Sequence, residues 1–178
     1  SASTASASPT KMWVSSETQG IVKSYELGTG WTGNAISVPT PRFVKFGPAA
    51  RLYVSSYEGD MIYEYSSETG LNPFMLIEHP RGFDFDANGN LYGIADSRQV
   101  LKRATNGTVS YVGSWYPSDD AAFGPDISGD SVPDFYVASA AGSDPQVRVF
   151  SSEVGGPIPM SKTPTRRLLI DDAFVESM

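Results

Sequence analysis

Four short apolar segments of this sequence resemble one another, and their spacing constrains the fold more than any other feature. They are Lys11-Met12-Trp13-Val14-Ser15-Ser16, Leu52-Tyr53-Val54-Ser55-Ser56, Leu91-Tyr92-Gly93-Ile94-Ala95 and Phe135-Tyr136-Val137-Ala138-Ser139. The aromatic markers Trp13, Tyr53, Tyr92 and Tyr136 are separated by 40, 39 and 44 residues. A second strand follows each marker: Ile21–Tyr25 running to Gly30, Ile62–Tyr65 to Gly70, Val100–Arg103 to Asn106-Gly107, and Val147–Phe150 to Gly155. Three copies also have a strand before the marker, at Arg42–Phe46, Gly82–Phe85 and Ala121–Phe123. A fourth strand closes the unit, as at Met75–Ile77 and Val109–Val112. Apolar residues alternate with period two and no sustained 3.6-residue stripe is present. Four-stranded units at about 40 residues are the period of a β-propeller blade. A β-sandwich of similar strand count is the alternative, but sandwich strands do not repeat in this way.

The expected fold is therefore all-β, a propeller of four four-stranded blades. Blades are expected at about 11–40, 41–80, 81–120 and 121–164, after a Ser/Ala/Thr-rich leader at 1–10. The 178 residues, 40% hydrophobic and 12% aromatic, suffice for a packed core and suit one domain. No apolar run approaches 18 residues, so no bilayer span is expected. A net charge of −7 argues against nucleic acid and anionic membranes as partners. With no Cys and one His, thiol catalysis, disulfides and multi-His metal sites are excluded.

The segment Phe46-Gly47-Pro48-Ala49-Ala50-Arg51-Leu52-Tyr53-Val54-Ser55-Ser56 resembles the core motif of NHL-like extracellular propellers, and Phe85–Tyr92 is a second copy. Phe123–Val137 blends this motif with the FG-GAP signature of integrin-type propellers. The resemblance covers roughly residues 11–170. It implies a propeller and leaves function open, because such propellers range from adhesion modules to lactonases and lyases.

Thr163-Pro164-Thr165-Arg166-Arg167-Leu168-Leu169-Ile170 echoes Thr40-Pro41-Arg42-Phe43-Val44-Lys45-Phe46, the opening of the second unit. Residues 165–178 are thus expected to close the ring by pairing beside Met12–Ser16, within the chain or between subunits, with self-association through the termini.

For chemistry, the loop 126–134 stands out. Asp126, Ser128, Asp130 and Asp134 occupy positions 1, 3, 5 and 9, with the Val132 carbonyl at 7, a spacing that wraps oxygen ligands around Ca²⁺. Ser128 and Ser131 depart from the family pattern, so a weak calcium site is expected. The alternative is an Asp-rich turn whose side chains cap backbone amides. Asp84, Asp86 and Asn88 look similar, but Asn88-Gly89 reads as a hairpin turn. The acidic pairs Asp119-Asp120 and Asp171-Asp172 read as solvated surface. His79 acts as a base only if partners that the sequence does not identify are placed beside it. Glu64, Glu78, Asn34 and Asn72 are the right residue types for an axial metal, without a motif that ties them together. Tyr25, Trp31, Tyr53, Tyr57, Tyr63, Tyr65, Trp115 and Tyr116 pack between sheets or present a glycan-stacking face. Asn106-Gly107-Thr108 is an N-glycosylation sequon in a turn.

These features favour a secreted, non-enzymatic structural or adhesive protein, self-assembling into a filament or surface layer. The alternatives are a glycan- or ligand-binding module, or a metal-dependent lactonase-like or lyase-like enzyme.

Overall fold

The structure is a computed structural model that describes residues 11–114, 118–126, 129–139 and 146–151, apart from the side chains of 31–34 and 146. The leader, the segment 163–170, the closing strand 165–178, Ser128, Trp115 and Tyr116 lie outside the described residues.

Fourteen strands are described, and they form four antiparallel sheets of consecutive strands. The first holds β1 (Lys11–Ser16), β2 (Ile21–Glu26) and β3 (Gly30–Ser37). The second holds β4 (Pro41–Phe46), β5 (Leu52–Ser56), β6 (Met61–Ser66) and β7 (Gly70–Leu76). The third holds β8 (Pro80–Phe85), β9 (Leu91–Ala95), β10 (Gln99–Arg103) and β11 (Val109–Ser114). The fourth holds β12 (Asp120–Gly124), β13 (Asp134–Ser139) and β14 (Gln146–Phe150). A single 3-10 turn, Pro48–Ala50, is the only helical element among the described residues. The chain is all-β, as the period-two alternation requires.

The repeat is visible in the register. Lys45 pairs with Tyr53, Asp84 with Tyr92 and Ala122 with Tyr136, so three markers occupy the same place in their sheets. Trp13 holds the corresponding place on β1, but β1 has no strand before it among the described residues. Met12 and Val14 are 49% and 39% exposed, whereas Leu52 and Val54 on β5 are 3% and 0% exposed.

Turn chemistry fixes where strands reverse. Gly89 has φ +81°, a left-handed conformation that glycine adopts without a Cβ penalty. Beside it Asp86 accepts the amides of Asn88 and Asn90 at 3.0 and 2.8 Å, which makes residues 86–90 a capped hairpin turn.

The core lies between sheets, in three clusters. Val22, Ile36 and Val38 of the first sheet meet Leu52 and Val54 of the second. Tyr53, Ile62, Met75 and Ile77 then meet Phe83, Leu91 and Ala95 of the third. Tyr92, Ile94, Val100 and Val112 meet Ala121, Phe135, Val137 and Phe150 of the fourth. Each sheet is therefore held by the faces of its neighbours, as in a propeller.

The first strands of the second, third and fourth sheets approach one another. The Gly82 amide on β8 donates to the Asp119 carbonyl at 3.2 Å, joining the third and fourth sheets backbone to backbone. Lys45 on β4 reaches past β8 to the Ala121 carbonyl on β12 at 2.9 Å, and lies 3.5 Å from Asp84. A Cβ at Gly82 would stand 2.6 Å from backbone atoms of Asp120 and Ala121, so the approach of β8 to β12 demands glycine.

Candidate functional site

At the start of these first strands the repeat places charge. Arg42, Arg81 and Asp119 are equivalent positions of the second, third and fourth units. Glu17, Tyr57 and Asp96 each follow their marker aromatic by four residues. The two series interleave into a belt that crosses all four sheets.

From the first sheet, Glu17 Oε1 accepts from Arg42 Nε and Nη2 at 3.3 and 3.2 Å. The Arg42 guanidinium carbon lies 3.6 Å from the centre of the Tyr57 ring, and Ser15 Oγ donates to the Arg42 carbonyl at 2.6 Å. Tyr57 Oη donates to Asp96 Oδ2 at 2.9 Å. Arg81 donates from Nε to Asp96 Oδ1 and from Nη1 to Asp119 Oδ1, each at 2.7 Å. Burial pushes the Asp96 carboxyl up, but the Arg81 and Tyr57 hydrogen bonds outweigh it and hold the group below the usual carboxylate range. Burial works against the charged Arg81 guanidinium as well, and its two carboxylates raise it above its ordinary value. The hydrogen bond to Asp96, with burial, raises the Tyr57 phenol.

The belt borders a cleft of about 370 Å³ lined by Ser15, Glu17, Pro41, Arg42, Phe43, Arg81 and Asp119. Beside Arg81 in sequence, His79 packs edge-on to Tyr57 at 4.7 Å between ring centres, and its Nδ1 lies 3.4 Å from Asp60 Oδ1. These are the partners that the sequence could not identify.

The residues expected to carry chemistry fall elsewhere. In the loop 126–134, one oxygen each of Asp126, Asp130 and Asp134 lie within 4.8 Å of one another. Asp126 already accepts the amides of Gly129 and Ser131 at 2.6 and 2.7 Å. Asp130 accepts the Val132 amide at 3.0 Å and the Ser151 hydroxyl at 2.5 Å. The carboxylates thus converge and cap the turn at once. Glu64 and Asn72 are cross-strand partners on β6 and β7, but Glu64 is held by Arg51 and Tyr53 while the Asn72 amide donates into the 69–70 turn. Tyr53 is buried against Phe74 and Phe85, and Tyr65 meets Trp13, so these aromatics pack between sheets. Asp119, read as solvated surface, is a member of the belt.

Sequence reasoning missed Arg42, Arg81, Glu17 and Asp96 because no contiguous motif contains them. Their signal is positional: Pro41-Arg42 and Pro80-Arg81 at one repeat offset, and an acidic or aromatic residue four places after the marker.

The fold is β-propeller-like, built of four repeated antiparallel sheets packed face to face. Solved structures share it. A virginiamycin B lyase from Staphylococcus aureus superposes with a TM-score of 0.61 at 10% identity, over 81% of this chain and 53% of the lyase. Hydrazine synthase from Kuenenia stuttgartiensis gives 0.65 at 14% identity, over 83% of this chain and 44% of that one. A streptogramin B lyase gives 0.55 at 11% identity, over 84% and 51%. The chain thus spans about half the length of these proteins. No protein-family model and no curated protein matches it, so the NHL-like and FG-GAP-like resemblance stands only as far as the propeller fold.

The neighbours correct one expectation. Repeat architecture and a missing catalytic motif favour a structural or adhesive, non-enzymatic protein that forms a filament or surface layer. The structures sharing this fold include lyases, which are enzymes, and nothing found alongside them points to adhesion. The physical reason is that a propeller builds sites from equivalent positions on separate sheets, where no contiguous motif is needed. Among the described residues no helix is long and apolar enough to cross a membrane.

Proposed function

We propose that this chain is a lyase-like propeller that binds a small molecule in the charged cleft. The observation that supports the reading is the convergence of Ser15 and Glu17, Arg42, Arg81 and Asp119 from four sheets on one cavity. Binding sites are concave, with a few polar groups fixed by the scaffold. Here the Tyr57 ring orients Arg42, while Asp96 and Asp119 fix Arg81. His79 does not line the cleft but packs edge-on against Tyr57 beside it, and we assign it to proton transfer from there, with Asp60 3.4 Å from its Nδ1 to orient it. A catalytically inactive histidine-to-alanine variant is among the solved virginiamycin B lyases, in complex with quinupristin.

The test is incubation with quinupristin followed by mass spectrometry, beside NMR mapping of its binding. Expected are shifts at cleft residues and turnover that falls about 100-fold or more in His79→Ala, the scale of acid–base catalysis. Turnover that survives His79→Ala refutes the assignment of His79. Binding mapped away from the cleft, or no binding and no turnover, refutes the function.

A second, subordinate reading concerns the 126–134 turn. Three converging carboxylates, Asp126, Asp130 and Asp134, support a weak Ca²⁺ site with the Val132 carbonyl beside them. It is tested by thermal stability with and without chelator.

A further inference from the structure

We propose that the cleft takes its ligand by a carboxylate held on Arg42, and that Glu17 is an internal carboxylate occupying that seat. The inference rests on the cleft being a ligand site, and it names the chemical class that the site accepts.

The two arginines of the cleft differ in how they are paired. Arg81 makes three contacts of 2.7 Å, two of its nitrogens to Asp96 and one to Asp119. That length is typical of strong charge-assisted bonds, and all three guanidinium nitrogens are engaged. Arg42 likewise directs Nε and Nη2 at one oxygen, Glu17 Oε1, but at 3.3 and 3.2 Å, about half an ångström longer than the Arg81 contacts, and it has no second carboxylate among the described residues. These are long for an ion pair and do not use the two-oxygen match that a guanidinium fork makes with a carboxylate. Nη1 of Arg42 has no hydrogen bond among the described residues.

Arg42 is nevertheless held in place. Its guanidinium carbon lies 3.6 Å from the Tyr57 ring centre, and Tyr57 is anchored in turn by its hydrogen bond to Asp96. The fork direction is therefore set before any ligand arrives, which lowers the ordering cost of binding. Glu17 is the mobile partner by construction. It sits at the turn after β1, its side chain is 48% exposed, and Arg42 is its sole side-chain partner among the described residues.

Charge decides which anion fits. Arg42 and Arg81 face Glu17, Asp96 and Asp119, a net charge of minus one. A monocarboxylate replaces the Glu17 carboxylate one for one while Glu17 turns to solvent. A dianionic phosphate would add a further charge beside Asp96 and Asp119. Pro41 and Phe43 offer apolar surface to the body of such a ligand.

The experiment titrates the full chain with benzoate, its neutral counterpart benzamide, and inorganic phosphate, observing the arginine Nε–H resonances by NMR. Benzoate is expected to shift the Arg42 resonance while leaving Arg81 in place, and benzamide and phosphate to leave Arg42 unmoved. Arg42→Lys, which keeps the charge and loses the fork, should weaken benzoate about ten-fold. Glu17→Gln, which removes the competing negative charge, should tighten benzoate several-fold, and its melting temperature reports that the fold is intact. Benzamide binding in the cleft as tightly as benzoate, or benzoate binding untouched by Arg42→Lys, overturns the carboxylate inference and leaves the cleft as a ligand site. Phosphate displacing benzoate overturns it equally. If no probe perturbs any cleft resonance, the cleft reading falls with it.

Discussion

Replacing Arg81 by methionine removes the cation at the centre of the belt and keeps most of its bulk. The Arg81 side chain is only 21% exposed, but its partners Asp96 and Asp119 are 35% and 54% exposed. Hydrogen bonds to charged groups contribute about 1.5–3 kcal/mol when covered, and exposed pairs about 0.2–1 kcal/mol. Discounting the Asp119 arm for solvent screening, the loss should be about 2 kcal/mol, from the Asp96 arm and the carboxylates left facing each other. With a urea slope of about 2 kcal/mol/M, the unfolding midpoint should fall by about 1 M. The loss has a pH signature. Asp96 lies below the usual carboxylate range in the folded protein. Its contribution is therefore complete above the unfolded-state carboxylate pKa of about 3.9 and is lost as pH falls through the folded value. The gap between wild type and Arg81→Met should be widest at neutral pH and should close on acidification below about pH 4. Urea melts at pH 7, 5 and 3 measure it. A gap under about 0.5 kcal/mol at pH 7, the ordinary scatter of surface substitutions, refutes the structural weight given to the belt, and so does a gap that is constant with pH.

Two further substitutions probe the β8–β12 contact and the acidic turn. Gly82→Ala should cost about 2–4 kcal/mol, from overpacking β8 against β12 and losing the Gly82–Asp119 backbone bond, and lower the melting temperature by roughly 5–15 °C. Gly93→Ala, whose added Cβ meets the methyl ends of Ile77, Ile62 and Leu91 at 3.2, 3.3 and 3.5 Å, should stay within about 1 kcal/mol by the same calorimetry. Asp130→Ala should lower the melting temperature by a few degrees even in chelator, because Asp130 caps Val132 and binds Ser151. If the turn takes Ca²⁺, calcium at ten times its dissociation constant should add about 1.4 kcal/mol to wild type and nothing to the variant.

The strands were legible because their residues repeat. Leu52–Ser56 and Leu91–Ala95 have the boundaries that the marker motif implies, and the Asn88-Gly89 turn follows from local backbone chemistry. The belt was not legible, since it depends on which end of each first strand faces its neighbours. Arg42 and Glu17 are 25 residues apart, and Arg81 and Asp119 are 38 apart. Periodicity gives each residue a place on its own strand, and contact between strands of different sheets follows only from the packing of Phe83, Leu91 and Phe135. The loop 126–134 was legible as an oxygen-rich turn. The sequence could not tell whether those oxygens were committed to amides, because that depends on the path of the turn and on Ser151, which approaches from beyond β14.

The three inter-sheet clusters carry a consequence for how such a chain comes apart. The second and third sheets are gripped on both faces, whereas each outer sheet shares only one described cluster. Among the described residues, opening an outer sheet sacrifices one cluster and opening an inner one sacrifices two, so the described sheets should be lost from the outer ones inward. The same arithmetic governs growth. A duplicated unit added at either end needs only one new matching face and leaves the existing clusters untouched, so a chain of this design can lengthen without redesigning its interior.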